Sequence, residues 1–329
     1  MSPPIGVLLL QLGTPDDASV PAVRRYLMQF LADPRVLEVP NWVRRFILAE
    51  VYLRRCRQSA VKYRRIWDPV TGMPLLYHTR NQADGLQSLM PPGFVVRFAM
   101  RYGNPSTASV LRELIAAGVE RLVVLPMYPQ YSATTTASAL DGLFDALKAE
   151  RRVPALHVVP PYYEHPAYLD AMAALITEDL AKLSWQPEHY LLSFHGIPQA
   201  YTQRGDPYAL HVERTAQALV KRLGWPKGRW SRTYQSLFGK EAWLKPYTEE
   251  KLKALARAGI KRVFIAQPGF TADCLETIDE IGFEASATFR QAGGEEMHRC
   301  PCLNSHPRWL EAMRQLVVEN SMPTQSVQP

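Results

Sequence analysis

His195 closes the apolar run Leu191-Leu192-Ser193-Phe194 and is followed by Gly196-Ile197-Pro198, while Glu276 ends a second stretch, Asp273-Cys274-Leu275-Glu276, whose carboxylates return at Glu280 and Glu284. At ~100° per residue, each of these glutamates steps only ~40° around an α-helix and ~6 Å along it, so the three form one row. A wider π-type turn would take back part of that overshoot, and we expect such a distortion in this helix. An imidazole facing a row of carboxylates suits chemistry that binds a divalent metal, removes protons, or does both.

Each of these residues also has a plainer reading. A histidine abutting an apolar strand is most often a hydrogen-bonded core residue, but His195 sits at the strand's exit, just before a glycine, where a neutral imidazole can ligate metal or accept a proton. Carboxylates at four-residue spacing ordinarily make an exposed acidic face. Here residues 271–289 are poor in basic partners, so helix pairs do not relieve their repulsion. A buried row costs free energy unless it shares protons or binds a cation. Ser193 lacks the nucleophile-elbow spacing of a hydrolase. Cys300-Pro301-Cys302 lacks the spacing of zinc or iron-sulfur ligands, and both cysteines read as ordinary thiols. Tyr128-Pro129-Gln130-Tyr131-Ser132 puts rings and hydroxyls at a strand end, as ligand contacts or as a helix cap. Trp243 is a core residue or a platform for a planar ligand.

The elements that must position these groups alternate. Short apolar runs at 5–12, 94–100, 122–127, 156–159, 190–195, 230–235 and 263–267 read as buried strands. Helical patterns at 20–31, 73–90, 107–117, 137–150, 167–183, 209–223, 248–258 and 307–319 separate them. That order predicts a doubly wound α/β fold with parallel sheets, whose ligand crevice lies beyond the carboxyl ends of the strands. A boundary near Pro160-Pro161 leaves two comparable halves, 1–160 and 161–306, followed by a helix at 307–320 and a tail at 321–329 expected to be disordered.

With 329 residues, 47% hydrophobic and 21% charged, the chain is globular, and its four scattered cysteines argue for a reducing compartment and against a disulfide framework. Met1-Ser2-Pro3-Pro4 leads into apolar sequence without a basic leader, and no apolar run reaches the ~20 residues that cross a bilayer. The expected location is the cytoplasm. The formal net charge of +7 gathers locally, in Arg44, Arg45, Arg54, Arg55, Arg57, Lys62, Arg64 and Arg65, interleaved with Trp42, Phe46, Tyr52 and Leu53. This alternation fits an amphipathic helix on a membrane surface or over a flat acidic ligand, and equally a core helix with a charged outer face. No nucleic-acid-binding motif is present, and none is expected as a partner.

Taken together, the motifs resemble the ferrochelatases, which insert ferrous iron into a porphyrin at the end of haem synthesis. The resemblance runs through Leu9-Leu10-Gln11-Leu12-Gly13-Thr14-Pro15, Arg101-Tyr102, Tyr128 to Ser132, Ser193 to Pro198, Arg204-Gly205-Asp206-Pro207-Tyr208, Gln235-Ser236, Trp243-Leu244, and Pro268-Gly269-Phe270 through Asp273-Cys274-Leu275-Glu276-Thr277. It implies two similar Rossmann-like domains, each with a parallel four-stranded sheet, around a central cleft. It also implies that His195 and Glu276 hold the metal and that Glu280 and Glu284 complete the catalytic row. Leu12, Arg101, Tyr102, Tyr128, Ser132 and Trp243 would bind substrate. Leucine at position 12, where coproporphyrin-metallating relatives tend to carry tyrosine, implies protoporphyrin IX as the substrate. Ala133 stands where animal members carry a cluster-binding cysteine, and the animal-type C-terminal cysteines are missing. No iron-sulfur cluster is therefore expected, and iron enters as substrate. The expected partners are protoporphyrin IX and ferrous iron, with peripheral contact to the inner membrane, in a monomer or weak dimer. Competing readings are a chelatase for cobalt or for coproporphyrin III, and a non-catalytic porphyrin or haem carrier.

Overall fold

Eight strands, β1 (Ile5–Thr14), β2 (Phe94–Gly103), β3 (Arg121–Pro126), β4 (Ala155–Val158), β5 (His189–His195), β6 (Trp230–Gln235), β7 (Arg262–Ala266) and β8 (Glu296–Arg299), form two parallel four-stranded sheets. The computed structural model describes residues 3–237, 239 and 241–321. Strand orders are β2-β1-β3-β4 and β6-β5-β7-β8. In both sheets the first strand in sequence lies inside, with its successors on either side. The chain thus reverses direction of travel at β1 and at β5, and the crevice at such a switch point opens at their carboxyl ends. Leu12 and His195 lie at those two ends.

The strands are buried on both faces, as apolar runs flanked by helices must be. Leu8, Leu9 and Leu10 in β1, and Leu191, Leu192 and Phe194 in β5, are fully buried. One core joins the halves, from Val7, Leu9, Val123 and Leu125 through Leu192, Phe194 and Phe264 to Trp309. Helix Pro307–Glu319 lies against helices Pro166–Leu180 and Pro74–Leu89 and so spans both halves. Gly13 has φ +115°, and a Cβ there would stand 1.8 Å from the Tyr102 carbonyl oxygen, so only glycine lets β1 leave the sheet this close to β2.

The strand and helix positions follow the alternation read from sequence, except that β8 and the short helix Gln199–Gln203 were omitted and two segments differ. β8 has a single apolar side chain among Glu-Met-His-Arg, and as a four-residue edge strand it leaves no periodic signature. Ser321 belongs to the fold: Arg121 Nη1 donates to its carbonyl at 3.2 Å, and its hydroxyl bonds back to Val318. The rest of the expected tail lies outside the described residues. The basic stretch after residue 40 is not one helix: a π turn at Val51–Arg55 joins helix Asn41–Glu50, which buries nothing, to helix Cys56–Ile66, which buries Cys56, Ala60, Tyr63 and Ile66. No helix among the described residues is long and apolar enough to cross a membrane.

Candidate active site

His195 ends β5, and its ring is held in one orientation. Nδ1 lies 2.6 Å from the carbonyl oxygen of Gly196, which can only accept, so Nδ1 carries the proton and Nε2 presents a lone pair. The ring stands between Trp243 and Phe270, both 6.5 Å away centroid to centroid. Gly196 is required by closeness: a Cβ there would be 3.0 Å from the Gln235 carbonyl oxygen and 3.1 Å from the Trp243 indole. Trp243 is anchored by the backbone, since Leu244 N–H donates to the Ile197 carbonyl at 3.0 Å.

The acidic row lies on a π-helix, Glu276–Ala285, the distortion that four-residue spacing called for. Its start is fastened by Asp273. That carboxylate accepts from Thr277 Oγ1 at 2.8 Å, Arg299 Nη1 at 2.7 Å and Asn304 Nδ2 at 2.8 Å. Gln235, the last residue of β6, donates Nε2–H to the Glu276 carbonyl at 2.9 Å. Next to it, Ser236 gives its N–H and its hydroxyl to the two oxygens of Glu280, at 2.6 and 2.5 Å. Burial pushes the Glu280 carboxyl above its usual range. The Ser236 bonds and the nearby His195 oppose this, and the charge of Glu276 adds to it. His195, Glu276 and Glu280 thus act on one another.

Glu276 also faces the other half of the molecule. Tyr26 and Tyr63 meet edge to face at 6.2 Å, and burial first, with the Glu276 charge among the further causes, pushes both hydroxyls far above their ordinary range. These rings belong to an apolar cluster with Val23, Met73 and Tyr102, against which Leu12, Leu275 and Ile278 pack. Leu12 and the start of the π-helix therefore share a wall. Glu284 ends the row, 41% exposed and paired with Lys62 Nζ at 2.7 Å. Arg65 reaches both Glu284, at 3.4 Å, and the buried Asp279, at 3.0 Å. The row is therefore not without basic partners; they come from helix Cys56–Ile66 rather than from its own helix, which the local spacing could not reveal. A cavity of about 410 Å³ runs along the row, lined by Glu276, Asp279, Glu280 and Glu284 together with Lys62 and Ser236. His195 lies outside that lining.

The remaining sequence candidates divide. Trp243 is at the site, and the Tyr102 ring joins the aromatic wall, edge to face with Phe30 at 5.4 Å. Arg101 and the Tyr102 hydroxyl, however, are committed to a buried brace: Asp33 accepts from Arg101 Nη2 at 2.7 Å, from Tyr102 at 2.8 Å and from Ser138 at 2.6 Å. Ser132 is almost wholly buried and bonds Asp206 at 2.8 Å, a tie between the halves. The Tyr128 hydroxyl is buried with no hydrogen-bond partner. Sequence reasoning missed Asp33, Asp279, Tyr26 and Tyr63, and it gave Ser236 no role beyond its place in the Gln235-Ser236 motif; of the four, only Asp279, one turn beyond Glu276, carried a local signal.

The chain is similar to known proteins. The family model described as Ferrochelatase matches residues 4–321. A protein of Rhizobium meliloti named Ferrochelatase is 45% identical over 320 residues, covering 95% of this chain and 94% of that one. Its namesake in Mesorhizobium japonicum is 44% identical over 317 residues, covering 95% and 90%. Among solved structures, SirB from Bacillus subtilis with Fe3+ superposes with a TM-score of 0.56 at 12% identity, covering 97% of this chain and 96% of that one, a likeness of fold alone.

Proposed function

Because the chain belongs to the ferrochelatase family and, as a lyase of haem synthesis, inserts ferrous iron into protoporphyrin, we propose that His195 and Glu276 handle the iron and the two pyrrole protons on one face of the porphyrin. A flat macrocycle shields its nitrogen lone pairs and holds its N–H bonds in plane. Binding energy from remote contacts, the Tyr26, Tyr63, Tyr102 and Leu12 wall on one side and Trp243 on the other, is spent on puckering the ring so that these atoms become reachable. The Nε2 lone pair of His195 and the Glu276 carboxylate face the centre of the macrocycle as acceptors. Glu280 takes protons from them, and Glu284, at the exposed end of the row, returns them to water. Iron is consumed as substrate, and the site needs no iron-sulfur cluster. The protein works in the cytoplasm, and helix Asn41–Glu50 brings it to the membrane surface.

The observation that carries this reading is the imidazole with its Nδ1 committed to a carbonyl, beside a π-helix whose half-buried Glu280 is held by Ser236, the neighbour of His195's register partner Gln235. The test is anaerobic insertion of ferrous iron, followed by the haem spectrum. His195→Ala and Glu276→Gln each abolish insertion while protoporphyrin still quenches intrinsic fluorescence. Near-normal turnover by either variant overturns the assignment.

A further inference from the structure

The geometry points to Gln235 as the residue that sets the placement of Glu276 relative to His195. The proposal rests on the roles given to those two residues above. His195 and Gln235 are register partners in the parallel pair β5 and β6. Gly196, whose carbonyl accepts a hydrogen bond from His195 Nδ1–H, gives its own N–H to the Gln235 carbonyl at 2.8 Å. The Gln235 side chain then donates to the Glu276 carbonyl at 2.9 Å. One unbroken path of hydrogen bonds runs from the imidazole through Gly196 and Gln235 to the first residue of the π-helix. Gln235 is its only member outside the two segments it joins.

An amide can face either way, and its orientation here is dictated. The Glu276 carbonyl can only accept, so the NH2 group must face it, and Oε1 is left to accept from the Ser193 hydroxyl at 2.8 Å. Ser193 lies 2.8 Å from Thr248 Oγ1, and Thr248 lies 2.9 Å from Thr233 Oγ1. Ser193, Thr233, Thr248 and Gln235 are all buried, three strand residues and one at the start of helix Thr248–Arg257. Four buried polar side chains are costly unless each is satisfied. Each of the four has at least one hydrogen-bond partner, and the network delivers a donor to the backbone of Glu276. The role assigned to Gln235 is exerted through its contact with the Glu276 backbone, which makes it a positioning residue.

A displacement of about 1 Å between reacting groups can cost roughly 10²-fold in rate, so Gln235→Met, of similar length but without the amide, lowers kcat by about that factor. The porphyrin KM and the melting temperature stay near wild type. Ser193→Ala, which removes the donor that holds Oε1, lowers kcat in the same direction but less. Wild-type kcat in Gln235→Met sinks the proposal. So does a loss of kcat matched by an equal loss of porphyrin affinity or by a large drop in melting temperature, which marks a merely structural role. If Gln235→Met does not fold, Ser193→Ala decides, since an unchanged kcat there is equally fatal. Glu276→Gln in the same assay separates the two levels. If it is inactive while Gln235→Met is fully active, positioning alone fails; if it is active, the underlying role of Glu276 fails.

Discussion

Glu280 is gripped by the N–H and hydroxyl of one residue, Ser236, whose φ of +65° turns both donors to the same side. A serine rarely adopts that left-handed conformation, and strain of this kind persists only where surrounding structure enforces it. The two hydrogen bonds favour the carboxylate, while burial favours the acid and wins, so the group titrates above the usual carboxylate range. A carboxylate in that position both receives a proton and releases it without a deep energetic well. If Glu280 accepts in its ionised form, insertion slows as pH falls through this raised value, before ordinary carboxylates titrate. We expect Glu280→Gln to lower kcat roughly 10- to 100-fold and to remove that acid limb, with porphyrin affinity unchanged. An acid limb of kcat that survives in the variant assigns it to another group.

At the scale of elements, the π-helix depends on its first turn. Burial pushes the Asp273 carboxyl up, but the Arg299 charge and the hydrogen bonds from Asn304 and Thr277 outweigh it and hold the group below its ordinary value of 3.8. A depressed carboxyl stabilises the fold above that ordinary value, and the contribution is lost as pH falls through the folded-state value. Asp273→Asn leaves Arg299 buried opposite a neutral amide, and breaking a buried pair costs roughly 3 kcal/mol. The variant therefore melts well below wild type at pH 7, and the gap narrows in acid. Equal melting at neutral pH contradicts this account. Arg299 also runs beneath Gly282 of the same helix, 3.5 Å from where a Cβ would be, so β8 supports both the start and the middle of the row.

Across the whole molecule, the exposed helix Asn41–Glu50 and the turn after it form a lip that is apolar and basic together. Trp42 and Phe46 are 75% and 74% exposed, and Leu53 is 67% exposed, next to exposed Arg45, Arg54 and Arg57. Its base is tied to the second half through the Glu38 to Arg204 ion pair and the Tyr201 hydroxyl at Val36. Such a surface suits an anionic bilayer, where aromatic side chains enter the headgroup region and arginines meet phosphates. If the lip meets lipid as proposed, we expect wild type to cosediment with phosphatidylglycerol vesicles in a salt-sensitive way and weakly with phosphatidylcholine vesicles, and Trp42→Ser with Phe46→Ser to abolish binding. Equal recovery of wild type and the double variant on anionic vesicles argues against the lip.

The strand exit at His195 and the distorted helix that carries Glu276, Glu280 and Glu284 were legible because both signals are local: an apolar run closed by glycine, and a four-residue carboxylate period. The parallel α/β order was legible for the same reason, since buried strands and amphipathic helices each write their period into a short window. What only the tertiary structure decided are the partners. Lys62 and Arg65 neutralise the outer end of the row from a helix more than two hundred positions away. Asp33 engages Arg101 and the Tyr102 hydroxyl, and Gln235 bridges the imidazole to the π-helix. A hydrogen bond or ion pair between distant segments depends on sheet register and helix docking, which are properties of the folded chain as a whole and leave no periodicity in any one stretch of it.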